Sequence, residues 1–101
     1  MPNNYVTFSE ITTSDLVNYL RLAETTQSDL TLLGTILEAA KSFTLTYTGR
    51  TVLEANTMPE LTIAVYVLSA EMFDKRTFTV DNDKANQIVE SILGSRSVNL
   101  L

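Results

Sequence analysis

The sequence has no cysteine and no histidine, and only three glycines and two prolines among its 101 residues. Without cysteine there is no disulfide, no zinc–thiolate site and no thiol nucleophile. This suits a cytosolic or virion protein. Without histidine the commonest general base and the commonest metal ligand are both missing. Gly34, Gly49 and Gly94 each stand alone, so no glycine loop cradles a phosphate. Basic residues are also scarce, seven against twelve acidic ones, and the net charge is -5. A chain so charged gains little from phosphate contacts, which disfavours sequence-specific nucleic-acid binding outside a local spot such as Lys75-Arg76. No block of like charge suggests a disordered tail or arm.

What the chain does have is apolar material. Hydrophobic residues make up 45% of it, enough for one core in one ordinary domain. Met1-Pro2-Asn3-Asn4 shows no basic segment leading into an apolar one, so no signal peptide is expected. The most apolar run, Leu61 to Phe73, carries Glu71 and is too short to span a bilayer, so a soluble protein is expected.

Four helical segments are predicted. The first starts at Thr12 or Thr13, whose hydroxyls are capping groups, with Asp15 near the positive end of the helix dipole. It ends around Leu22 to Glu24. The second takes Ser28 as N-cap and repeats Leu30, Leu33, Leu37 and Ala40 at three- and four-residue steps, with Ile36, Phe43 and Tyr47 widening the face. Its last turn holds weak helix formers, Thr44 and Thr46, and Gly49 is placed as the left-handed residue after it. Residues 50–57 are a connection. The third helix opens at Met58-Pro59-Glu60 and is apolar nearly all round; its length argues for helix over buried strand. Asp74-Lys75-Arg76 closes it, with basic charge at the negative end. Thr77-Phe78-Thr79-Val80 alternates and is extended, or at most a short strand. Asp81, Asn82 and Asp83 offer caps to a fourth helix built on Ala85, Ile88, Val89, Ile92 and Leu93, which Gly94 ends. The expected fold is all-α: a small four-helix bundle over residues 1–94, with a short extended segment before the last helix and a C-terminal tail, 95–101.

Chemistry finds little to use. The carboxylate pairs Asp81/Asp83 and Glu71/Asp74 fall where helix caps and solvated helix ends belong, and catalysis or calcium binding is the weaker reading. Asp81-Asn82-Asp83 opens like a calcium loop but lacks its glycine and distal glutamate. No catalytic, cofactor or metal residue is assigned. Gly34, inside the second helix, fits close packing against a neighbour better than a kink. Tyr47, Tyr66, Met72 and Phe73 fit a core, with ligand-binding rings or a patch covered by a neighbouring subunit as the alternatives. The tail ends on Leu100-Leu101: either a frayed terminus or a segment that docks on a partner.

Order and spacing carry a resemblance. The opening Ile11-Thr12-Thr13-Ser14-Asp15-Leu16 with Tyr19-Leu20 leads to Ile36-Leu37-Glu38-Ala39-Ala40-Lys41-Ser42-Phe43 and Tyr47-Thr48-Gly49. The apolar helix Glu60-Leu61-Thr62-Ile63-Ala64-Val65 then leaves through Glu71-Met72-Phe73-Asp74-Lys75-Arg76. The chain closes on Val89-Glu90-Ser91-Ile92-Leu93-Gly94 and Ser97-Val98-Asn99-Leu100-Leu101. In this order the chain resembles, over nearly its whole length, the small head–tail connector (adaptor) proteins of long-tailed bacteriophages, especially those of prophages in Gram-positive hosts. The resemblance implies a structural virion protein and not an enzyme. Its subunits form a homo-oligomeric ring, expected to be a dodecamer, beneath the portal. The ring extends the DNA channel and meets the next head-completion or tail protein. DNA passes without sequence-specific binding, and an acidic channel lets it slide. No cofactor and no membrane are involved, and the location is the capsid–tail junction, with host cytoplasm during assembly. The family's C-terminal segment maps to Arg96, Ser97, Val98, Asn99, Leu100 and Leu101 as the portal-binding tail. Glu71, Asp74, Lys75 and Arg76 are the candidate subunit interface. Ring closure needs a heterologous contact repeated around an axis. A small helical DNA-binding regulator is the alternative of another class, although no helix has the basic face it would need.

Overall fold

The computed structural model of the protein describes residues 6–77 and 82–93. A 3-10 turn, Phe8–Glu10, precedes five α-helices: α1 (Thr13–Leu20), α2 (Gln27–Thr48), α3 (Val52–Ala55), α4 (Pro59–Lys75) and α5 (Asn82–Leu93). No strand occurs among the described residues. The fold is helical, as expected, but the described residues form five α-helices. The expected extended segment falls mostly on 78–81, outside the described residues, as do Gly94 and the tail 95–101.

Three helices start by one local device. Thr12, Thr26 and Thr51 each accept a hydrogen bond from the backbone N–H three residues on, and Asp15, Asp29 and Glu54 each bond back to the backbone N–H of the threonine. Such a capping box satisfies two amides that the first helical turn leaves orphaned. It corrects two expectations. The N-cap of α2 is Thr26 and not Ser28, because the spacing to Asp29 closes the box from Thr26. The connection 50–57 contains the single turn α3, because Thr51 and Glu54 form the third box.

The ends obey backbone conformation. α1 stops at Leu20, earlier than the expected Leu22 to Glu24, because Arg21 turns left-handed at φ 57° and its N–H bonds back to Val17 and Asn18. Gly49 does the same after α2, at φ 70°, as expected. α2 runs on through its weak last turn to Thr48, and there the buried Thr44 and Thr48 hydroxyls donate to the carbonyls of Ala40 and Thr44, each at 2.8 Å. Those bonds satisfy two polar groups that burial would otherwise strand. Pro59 is the first residue of α4, where its missing N–H costs nothing.

α4 is the hub and packs on every other element, most extensively on α2. Leu61, Val65, Leu68 and Met72 of α4 meet Leu33, Ile36, Leu37 and Ala40 of α2 in the core, which Phe8, Ile11 and Leu16 complete from the N-terminal side. Two long-range bonds tie that N-terminal stretch down: the Thr62 hydroxyl donates to the Val6 carbonyl at 2.8 Å, and the Ser9 amide donates to Asn56 Oδ1 at 2.9 Å. α5 packs chiefly on α4, through Ile88 and Ile92.

Candidate functional site

α4 is apolar nearly all round, and a helix of that kind in a soluble domain is normally covered on every side. Here it is not. Its inner face, including Leu61, Val65, Leu68, Ser69 and Met72, is buried, whereas Ile63 is 49% exposed and Tyr66, Val67 and Ala70 are half-buried. At 100° per residue, Ile63, Tyr66, Val67, Ala70 and Asp74 share the outward face of α4. Tyr19 of α1, 45% exposed, extends this patch: its ring stacks on Tyr66 with centroids 5.0 Å apart. Burial first, and then the Asp15 carboxylate, push the Tyr66 hydroxyl above its usual value. Ile63, Tyr66, Val67, Ala70 and Tyr19 include no acidic or basic side chain, and Asp15 and Asp74 border them. An aromatic and aliphatic surface of this kind suits contact with another protein surface.

A second exposed apolar feature lies on α3. Leu53 is 81% exposed and Val52 43%. They stand on a turn held by the Thr51–Glu54 box and by the Arg50–Glu54 ion pair at 3.9 Å. The backbone hydrogen bond from Thr51 chiefly holds the Glu54 carboxyl below its usual value.

Glu71, Asp74, Lys75 and Arg76 occupy the last turn and cap of α4. Glu71 is half-buried and turned toward cations, Lys75 at 3.5 Å and Lys84 of α5 at 3.9 Å. It therefore ties α5 to α4. Arg76 adopts a left-handed conformation at φ 53°, lies 4.1 Å over the Phe73 ring and pairs with Asp29 of α2 at 3.7 Å. Asp74, Lys75 and Arg76 are all exposed, and of the four only Glu71 is half-buried. Asp81 and the tail residues Arg96, Ser97, Val98, Asn99, Leu100 and Leu101 lie outside the described residues.

Of the aromatic and sulfur residues read as core, Met72 is buried, whereas Tyr47, Tyr66 and Phe73 are half-buried. Tyr47 stacks on Phe43 with centroids 6.1 Å apart and reaches Glu90 of α5 at a long 3.5 Å. Partial burial and then the Glu90 carboxylate raise its hydroxyl above the usual value. Gly34 does not sit in a close crossing: a Cβ there would meet only Thr13 Oγ1, at an ordinary 3.8 Å. The α1–α2 contact thus leaves room for a methyl group.

Among the described residues no group of three or more acidic, histidine or cysteine side chains is placed to hold a metal ion, and no helix is long and apolar enough to cross a membrane. Sequence reasoning missed both apolar patches. Ile63 and Leu53 read as core or loop because periodicity reports which residues are apolar, not which neighbours cover them. No family model, curated protein or solved structure matches the chain.

Proposed function

We propose that this protein is a head–tail connector of a long-tailed bacteriophage or prophage, a structural subunit that acts by assembling into a ring. The observation that carries the reading is the uncovered apolar face of α4, with Ile63 half-exposed and Tyr19 stacked on Tyr66 beside it. A structural subunit needs such a face, and an isolated globular domain gains nothing from leaving it bare. The slab-like dimensions, 40 × 37 × 18 Å, also suit a subunit that stacks side by side in a ring. α1, α2, α4 and α5 form the four-helix bundle of the subunit in this reading, and α3 is an added turn.

Asp74, Lys75 and Arg76, with the half-buried Glu71 beside them, supply the charged margin of the subunit contact. Arg96 through Leu101 engage the portal, the ring carries a dodecameric symmetry matched to it, and the net charge of -5 lets DNA slide through the channel without sticking. The location is the capsid–tail junction of the virion. No reaction and no cofactor enter this mechanism; the work is done by buried area repeated around an axis.

The test is the native mass of the purified chain by light scattering, alone and mixed with the portal of the phage or prophage that encodes it. A closed ring, alone or on the portal, is expected; Ile63→Asp breaks it, and deletion of Val98 to Leu101 loses the portal dependence. A strict monomer that ignores the portal overturns the proposal.

A further inference from the structure

α3 and α2 enclose a groove of about 370 Å³. Phe8, itself buried, lies along it, and Glu38, Lys41, Leu45 and Val52 line it. Next to Val52 stands Leu53, 81% exposed, on a rigidly capped turn. A bare leucine beside an apolar groove is a knob beside a hole. One molecule cannot use both, because its own knob stands outside its own groove. Two molecules related by a two-fold axis can, since the same patch then serves both partners.

The charges point the same way. Glu38 and Lys41 are three residues apart on α2, on the groove. Glu38 is exposed and has no ion pair among the described residues. Lys41 donates to the Ile11 carbonyl at 3.2 Å, which fixes its place and leaves two of its three donors. A surface bearing one acid and one base is its own complement under a two-fold rotation, because each acid turns to face the other molecule's base. A partner of single-sign charge would find half of this rim repulsive.

We infer that the α3 turn and the adjoining groove are a two-fold self-association site, with Leu53 of each copy seated in the groove of the other and Glu38 and Lys41 paired across the axis. This site is separate from the α4 face. A head-to-tail ring contact and a two-fold contact need different surfaces, so the chain has one for lateral assembly and one for pairing. The inference does not depend on the connector reading.

The experiment is sedimentation equilibrium of the full chain over a wide concentration range, for the wild type and three variants. In the Ile63→Asp background, where the α4 contact is lost, a reversible dimer is expected, with Leu53→Asp raising its dissociation constant about tenfold or more, since a leucine side chain loses its burial. The dimer's persistence in that background separates this contact from ring assembly. Glu38→Lys makes the groove wholly basic and Lys41→Glu makes it wholly acidic. Each alone loses self-association, and an equimolar mixture of the two regains it as a heterodimer. Circular dichroism checks that Lys41→Glu keeps its helices without the bond to Ile11; should it not, the exposed Leu53→Asp decides alone. A wild type that stays monomeric at the highest concentration reached overturns the inference. So does association in the Ile63→Asp background that Leu53→Asp leaves untouched.

Discussion

Replacement of Gly34 by alanine tests the packing of α1 on α2 directly. Gly34 is eight residues into a 22-residue helix, where glycine costs about 0.5–1 kcal/mol relative to alanine because the unfolded chain has more freedom to lose. Whether alanine recovers that energy depends on space. The nearest atom to an added Cβ is Thr13 Oγ1 at 3.8 Å, van der Waals contact without overlap. The gain should therefore appear nearly in full, about 0.5–1 kcal/mol, which for a domain of this size raises the melting temperature by about 2–8 °C. Thermal unfolding by far-UV circular dichroism measures it, with urea unfolding as a second measure at unchanged slope. Gly34→Val is the control: its branched side chain is a poorer helix former and presses on Thr13, so the gain should vanish. A lower melting temperature for Gly34→Ala would refute the argument and restore the close crossing that the sequence suggested.

Three further outcomes follow from single side chains. Ser69 is fully buried in α4 and its hydroxyl has no hydrogen-bond partner among the described residues, so Ser69→Ala should be neutral or stabilising by up to about 1 kcal/mol in urea unfolding; a loss of that size would mean that the hydroxyl is satisfied. Leu68, fully buried in the α4 core, should cost about 2–5 kcal/mol when replaced by alanine, and a cost below about 1 kcal/mol would show that the α2–α4 seam is loosely packed. The pH dependence has two signs. Glu54 is held below its ordinary 4.5, so its capping contribution is present above that value and is lost as pH falls through the lower folded value; an NMR titration of its carboxyl with a midpoint at or above 4.5 would contradict the box. Tyr47 and Tyr66 are raised above 10.0, so their contribution is complete below pH 10 and is lost as pH rises through the higher folded values; in an ultraviolet titration Tyr47→Phe and Tyr66→Phe should each remove a late-ionising tyrosine, and an unchanged late phase would contradict this.

Much of the fold was legible in short-range pattern. The apolar spacing of Leu33, Leu37 and Ala40, proline at the start of α4 and Gly49 after α2 each act within a turn or two of helix, so periodicity and capping rules reach them. The misplaced start of α2 and the unforeseen α3 were legible too, in the Thr-x-x-Asp and Thr-x-x-Glu spacings of Thr26–Asp29 and Thr51–Glu54. Those boxes were outvoted by a plausible serine and by the shortness of α3.

The sequence by itself determined that the chain is helical, where the long helices lie, and that histidine and cysteine chemistry is closed to it. These follow from composition and from forces acting over a few residues. Only the tertiary structure decided which apolar residues remain bare. Ile63 and Val65 look alike in sequence, yet Val65 is sealed in the core and Ile63 is half in solvent. Leu53 and Leu61 differ in the same way. Glu71 and Arg76, at one helix end, are engaged by Lys84 and Asp29, each from a different helix. Burial depends on what distant segments cover, and no local pattern contains that information.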